Sequence, residues 1–446
     1  MDYIRHVAET LGGHPAVYAL LLEEAPTGGA QFGIDRWKSV TAALEGRLQA
    51  AAWTEDGYQY AVKVWQMAQY TAYVRELAAV VRKARARLKT TISFHLDALL
   101  PTEALVHFQD TARMLDFAII DAGTAGGYDP LWRHGLTRCL AGMAATLTDR
   151  DIWMVAGSHV PQDRYRPCLR EIREWTQQVC EQGVCAVGWH GWDDTFWADG
   201  YPVRGMALAE RYPEHWTTIL GLSRALAGQE MKKPAPSPYA CLLSYDSCLH
   251  RLMGADGVAT GMALSEYARL VPRYVSDTQV VEEGMPQKCS ILFTTPCPSA
   301  REALVERLMD FMARGGWIVA SGDDFSLDEQ RRPAERRRML GVREERALAN
   351  EDRILLTGPL PGLAEGTSLA TAWNRIRLTA MEDPMRVLGR WGDGAPAIVL
   401  KPHGKGGSLY IGTDPYQAAV AAGSREEWGR LFQSIAAPGT LKRLIG

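Results

Sequence analysis

The sequence predicts an α/β protein of two successive regions, the first built of β/α units around a parallel sheet. Short apolar runs of strand length alternate with long amphipathic stretches through the first half, the pattern of strands joined by helical crossovers. Those runs are apolar on both faces, as in parallel strands covered on both sides. The pattern is interrupted at residues 229–238, where three prolines and two lysines fit an extended connection, and then restarts.

Composition narrows the function classes. With 446 residues, 47% hydrophobic and 23% charged, the chain is globular and long enough for two or three domains with sizeable cores. A net charge of -3 supplies no global basic field, so neither nucleic acid nor a membrane is expected as a partner. The start, Met1-Asp2-Tyr3-Ile4-Arg5-His6, lacks a basic and then apolar leader, and no stretch of membrane-spanning length lacks charges. A cytoplasmic location is expected. The eight cysteines include no Cys-x-x-Cys pair, and the ten histidines no His-x-x-x-His pair. Neither a metal site nor a cofactor is expected, and the cysteines read as reduced, small apolar residues.

Five strands are expected before residue 195, at 16–22, 90–96, 115–121, 151–156 and 184–189. Between the first two, Val64, Met67, Ala68, Thr71, Val74 and Leu77 recur at three- and four-residue steps and predict a helix over 60–83. Right-handed crossovers bring every strand's C-terminal end to one lip. The first strand ends in Glu23 and Glu24. A buried strand has no use for carboxylates, so both are candidates for acid/base chemistry, against the plainer reading as solvated loop residues. Asp121 ends the third strand and either binds substrate or caps the segment after it. At the fifth, Trp189-His190-Gly191-Trp192-Asp193-Asp194 mixes aromatic plates with polar groups. Sugars need both, a ring against the C–H face of a pyranose and polar partners for its hydroxyls. Trp189, His190, Trp192 and Asp193 are therefore candidate substrate contacts, the alternative being that the tryptophans only close the packing.

Beyond the linker, strands are expected at 239–244, 289–295 and 317–321, with a helix over 300–313 stopped by Gly315-Gly316. Cys297 follows the second of these but lacks the flanking glycines of a nucleophile elbow, so a catalytic role is not expected. Residues 327–346, with Arg336-Arg337-Arg338, read as a solvated helix face rather than a nucleic-acid patch, because Glu335, Glu344 and Glu345 are interleaved. Residues 397–400 and 408–412 flank His403-Gly404-Lys405-Gly406-Gly407 as a hairpin.

Several segments resemble one family. Gly13-His14-Pro15-Ala16-Val17 leading to Glu23-Glu24-Ala25-Pro26 resembles the fourth strand of (β/α)8-barrel glycoside hydrolases, where an Asn-Glu pair supplies the acid/base. Glu23 stands in the Asn slot. Asp151-Ile152-Trp153-Met154-Val155 resembles strand seven and residues 183–192 strand eight. Residues from about 238 onward resemble the glutamine-amidotransferase-like, flavodoxin-like trimerisation domain of trimeric bacterial β-galactosidases. The matching segments there are Phe311-Met312-Ala313-Arg314-Gly315-Gly316-Trp317-Ile318-Val319, Asp393-Gly394-Ala395-Pro396-Ala397 and Gly404-Lys405-Gly406. The resemblance implies a partial or divergent barrel over 1–230, a linker at 231–238 and an amidotransferase-like domain over 239–446. It also implies Glu24 as general acid/base, a β-galactoside or related pyranoside as substrate, and a trimer or other homo-oligomer.

Two departures qualify this. The family's nucleophile slot after strand seven reads Ala156-Gly157-Ser158-His159, without a carboxylate. Glycoside hydrolysis needs two carboxyl groups, about 5–5.5 Å apart for retention or about 6.5–9.5 Å for inversion, so Asp121, Asp193 or Glu23 must supply the second. The resemblance also starts at strand four, and five strands do not close a barrel, so a partner chain, a symmetry mate or an altered sheet is expected to cover the edges. The alternatives to a hydrolase are a non-catalytic carbohydrate-binding pseudoenzyme, an oligomeric assembly subunit, or one piece of a split hydrolase. Glutaminase activity is not expected.

Overall fold

The computed structural model describes residues 1–24, 55–95, 99, 106–122, 130–157, 167–190, 196–198, 201–203, 208–250, 256–346, 353–372, 375–381, 385–421 and 424–445. The chain packs as two units, Met1–Gln31 with Val64–Ala235 and Phe32–Lys63 with Pro236–Gly446.

The first unit opens with a helix the sequence reading did not anticipate, Asp2–Leu11. Its apolar side, Ile4 and Ala8, packs with Val17, Leu20, Leu22, Val81 and Leu88. The helix stops at Gly12, where the Arg87 guanidinium donates to the Gly12 carbonyl at 3.0 and 3.1 Å and to that of Gly13 at 2.7 Å. Five parallel strands follow: β1 (Ala19–Glu24), β2 (Lys89–His95), β3 (Phe117–Ala122), β4 (Asp151–Gly157) and β5 (Ala186–His190). Their spatial order equals their chain order. β1 starts three residues later than the apolar run suggests and continues through Glu23 and Glu24, so both belong to the strand. A turn after His14 takes up the first part of that run, the Val17 N–H donating to the His14 carbonyl.

Because each crossover runs in the same direction, the connecting helices cover one sheet face. Ile92, Phe94, Ala118, Ile120, Ile152 and Met154 point to that face and are fully or nearly fully buried. The Phe94 ring meets Phe108 of the Phe108–Arg113 helix edge-on at 4.9 Å. Positions of the other parity, Ser93, His95, Ile119, Asp121, Trp153, Val155, Ala186 and Gly188, are all half-buried. At the far end of this open face Tyr18 stacks on Trp153 at 6.1 Å and Phe117 lies 4.3 Å from Trp153. The helix expected over 60–83 spans Glu55–Ala84. Its buried stripe is Met67, Tyr70, Thr71, Val74, Leu77, Ala78 and Val81; Val64 and Ala68 lie off it, exposed. Helices Pro130–Leu147, Leu169–Glu181 and Pro213–Leu226 complete the unit, with the short hairpin of β6 (Phe196–Ala198) and β7 (Tyr201–Val203).

The second unit contains β8 (Tyr239–Leu243), β9 (Arg273–Ser276), β10 (Ile291–Thr294), β11 (Trp317–Ser321), β12 (Val342–Arg346), β13 (Arg353–Leu356), β14 (Ser368–Ala370), β15 (Ile376–Met381), β16 (Arg386–Trp391), β17 (Pro396–His403) and β18 (Gly406–Ile411). Nine form one sheet in the order β14-β13-β16-β17-β18-β11-β10-β8-β9, while β12 pairs with β15. β9, β8, β10, β11 and β18 run parallel; β17, β16, β13 and β14 extend the sheet antiparallel. Every residue of β10, β11 and β18 is buried, as a parallel sheet covered on both faces requires. On one face Leu292 and Ile318 pack with Leu304, Leu308 and Met312 of the Glu302–Ala313 helix. On the other, Phe293 meets Phe432, whose ring also lies 5.3 Å from Tyr416 and 6.1 Å from Trp428. The hairpin between β17 and β18 forms as expected. Its Gly406 lies so close to the helix stop that a Cβ there would come within 2.0 Å of the Gly316 carbonyl oxygen.

The solvated helix expected over 327–346 is replaced by a single-turn helix, Glu335–Leu340, and β12. Arg337 is 5% exposed and donates to the carbonyls of Asp324 and Gly322, both at 2.8 Å. Its charge is spent on loop carbonyls rather than on solvent, which the interleaved glutamates did not reveal. Among the described residues no helix is long and apolar enough to cross a membrane.

Phe432 joins strand and helices through three aromatic rings, so Phe432→Ala is expected to cost about 3–5 kcal/mol. Urea unfolding followed by circular dichroism measures this, and a loss below about 1 kcal/mol would show that the ring cluster does not hold the unit.

Candidate functional site

The first candidate is the C-terminal lip of β1–β5. Backbone register pairs Glu24 with Ser93, His95 with Asp121, Asp121 with Val155, and Val155 with Gly188. His95 and Asp121 are thus direct neighbours on the open face, both half-buried. His95 was missed by the sequence reading although it ends an apolar run just as Glu24 does. β4 ends in Ala156 and Gly157, beside Trp189 and His190 of β5. Gly157 and His190 share the parity of Val155 and Gly188, whereas Trp189 shares that of Ala156 and faces the helices. There it packs with Ile172, Tyr212, Trp216, Ile219 and Leu222, and its indole Nε1 is buried without a hydrogen-bond partner among the described residues. The side chains of Glu23, Glu24 and His190, together with Trp192 and Asp193, lie outside the described residues.

The second candidate is the lip of the parallel strands in the second unit, where the strand order reverses between β8 and β10. Open α/β sheets bind ligands at such a point. Ser244, Asp277, Thr295, Cys297 and Asp324 follow the ends of β8, β9, β10 and β11, and all are nearly or fully buried. Asp246 receives two hydrogen bonds from Arg301, at 3.0 and 3.1 Å, and one from the Tyr60 hydroxyl at 2.6 Å. The Tyr60 ring stacks on His250 at 4.9 Å. Asp277 accepts from the Asp246 N–H at 3.0 Å and from the Ser244 hydroxyl at 3.4 Å. Asp324 accepts from Thr294 Oγ1 at 2.6 Å, the Ser321 N–H at 2.7 Å and the Cys297 N–H. The lip is filled by the protein's own hydrogen bonds.

Burial pushes the Asp277 carboxyl up to about 6, with the Asp246 charge adding and Arg301 opposing. Burial likewise carries Asp324 to about 7 against its three hydrogen bonds. The Cys297 thiol is raised well above its ordinary value by burial and then by the Asp324 charge. A thiol held neutral is neither nucleophile nor metal ligand. Among the described residues no group of three or more His, Cys, Asp or Glu side chains is placed to hold a metal ion.

The sequence matches no family model and no curated protein. Its structure, however, is similar to that of several solved glycoside hydrolases. The β-galactosidase of Bacillus circulans sp. alkalophilus superposes with a TM-score of 0.74 at 15% identity, over 96% of this chain and 71% of that one. The β-galactosidase of the haloarchaeon Halorubrum lacusprofundi gives 0.73 at 15%, over 99% and 72%. An exo-β-1,4-mannosidase from Opitutaceae bacterium strain TAV5 gives 0.57 at 10%, over 82% and 69%. At these identities the likeness is one of fold.

Two outcomes follow from the buried lip. In thiol labelling of the native protein, the exposed Cys168 and Cys185 should react, while buried Cys139, Cys241, Cys248 and Cys297 react only on unfolding; rapid native labelling of Cys297 would contradict its assignment as inert. Asp324 is raised in the folded state, so its stabilising protonation is complete below about pH 4 and lost as pH rises through about 7. The stability advantage of wild type over Asp324→Asn should therefore shrink between pH 5 and 8 in urea titrations, and a constant difference would refute the shift.

Proposed function

We propose that the protein is glycoside hydrolase-like, acting on or binding β-galactosides or related pyranosides at the β1–β5 lip. The observation that carries this reading is the parallel ladder that brings position 24, His95 and Asp121 to the same end of three adjacent strands. Glu24 is the general acid, protonating the glycosidic oxygen, and Asp121 is the second carboxylate. β1 and β3 stand two ladder steps apart, about 9.5 Å at about 4.8 Å per step. That spacing suits the about 6.5–9.5 Å of an inverting pair, with a water between Asp121 and the anomeric carbon. His95 hydrogen-bonds a sugar hydroxyl from the neighbouring strand. His190, Trp192 and Asp193 contact the substrate from the loop after β5, which Trp189 anchors through its packing against Ile172 and Ile219. Glu23 is the reserve carboxylate on the same strand.

A second reading, carbohydrate binding without turnover, is favoured by one feature: β4 ends in Ala156-Gly157, where the resembled family carries its nucleophile. Aryl glycoside assays separate the two. The purified protein should release aryl alcohol from aryl β-galactosides with inversion at the anomeric carbon, and both Glu24→Gln and Asp121→Asn should lower kcat at least about 100-fold. Activity unchanged in Glu24→Gln would sink the assignment, while galactose binding without turnover would select the second reading.

A further inference from the structure

The second unit carries a cleft of about 540 Å³ away from its filled lip, between the Glu302–Ala313 helix, the Glu335–Leu340 turn and the end of β17. Its size falls within the about 300–1,000 Å³ of small-molecule sites. Val305, Met309 and Met339 supply an apolar wall, and Met309 is 38% exposed. Arg336, Lys401 and His403 bring nitrogen groups to the same space.

Arg336 is the informative member. Its side chain is 12% exposed and is held by Glu302 at Nε and Glu329 at Nη2, both at 3.3 Å. The third nitrogen, Nη1, is buried and has no acceptor among the described residues. A buried guanidinium N–H without an acceptor costs about 1–3 kcal/mol, so an acceptor oxygen arriving in the cleft recovers it. Glu302, Asp328 and Glu335 complete the lining. A simple anion would meet those carboxylates unfavourably, whereas hydroxyl groups donate to carboxylate oxygens. The lining thus calls for a ligand with an anionic head, several hydroxyls and a C–H face.

We infer that this cleft is a binding site for a polyhydroxylated organic acid of the hexuronate class. Its carboxylate bonds to Arg336 Nη1 and Lys401, its hydroxyls to Glu302 and Glu335, and its C–H face lies on Met309 and Val305. The site is independent of the β1–β5 lip and of the activity proposed there.

Calorimetric titration of the full chain with sodium galacturonate tests this, with galactose and acetate as controls. Galacturonate should bind at least about tenfold more tightly than either control, as expected when a charge-assisted pair and the hydroxyl contacts act together. Lys401→Met and Arg336→Met should each weaken it about tenfold or more. Because Arg336→Met also removes two ion pairs, Met309→Trp, which fills the cleft without touching a charge, must abolish binding too. Binding should persist in Glu24→Gln. Affinity for galacturonate no greater than for galactose, binding that survives Lys401→Met and Met309→Trp, or binding lost in Glu24→Gln would each overturn the site; none of these bears on whether aryl galactosides are cleaved.

Discussion

The handedness of the β–α–β crossover is the constraint on which both units rest. A parallel strand can follow another only by returning its chain across a sheet face, and that return is right-handed. In the first unit every return runs the same way, β1 to β5, so all covering helices lie on one face and the other stays half-buried. In the second unit the direction reverses at β8, which puts β9 on one side and β10, β11 and β18 on the other. Helices then cover both faces, and β10, β11 and β18 are buried throughout.

The same rule gives polar residues at strand ends two different fates. Ser244, Asp277, Cys297 and Asp324 end apolar runs just as Glu24 and His95 do. In the second unit they are taken out of water, and a buried carboxylate persists only if its oxygens are satisfied. Asp246 is matched by Arg301 and Tyr60, and Asp324 by Thr294, Ser321 and Cys297. Every hydrogen bond made inside the lip is one withheld from a ligand. The half-buried lip of the first unit keeps His95 and Asp121 where a ligand can reach them.

How far the sequence revealed this depended on period. Strands of uninterrupted apolar residues, such as Trp317–Ser321, were legible to the residue, because a strand buried on both faces leaves no ambiguity of pattern. Ends were less so: β1 retains Glu23 and Glu24 because ladder pairing with Ser93 outweighs the hydropathy break. Parity was missed at the fifth strand, where Trp189 turns to the helices while Gly188 lies on the open face, a distinction that composition does not carry. The three arginines 336–338 misled for a different reason. Their spacing matched a solvated helix, but buried carbonyls of the loop after β11 need donors, and a guanidinium reaches two at once. The Tyr60 contact with Asp246 spans 186 residues and leaves no local signature.

The open face of the first sheet is divided along its width. β2 and β3 present His95, Ser93 and Asp121, whereas β4 and β5 present Val155, Gly157, Ala186 and Gly188 on the same parity. At Gly188 an added Cβ would still clear Val155 Cγ2 by 3.4 Å, so close packing does not impose glycine there. Small residues on one side and polar ones on the other leave a trough with hydrogen-bonding groups along a single edge. A flat ring with a C–H face and a hydroxylated rim fits such a trough, its apolar side against the small residues and its rim toward His95 and Asp121. The division bears on binding more directly than on bond cleavage. Recognition uses the whole width of the face, while cleavage depends on whether Glu24 and Asp121, two strands apart, act on the same oxygen-linked carbon.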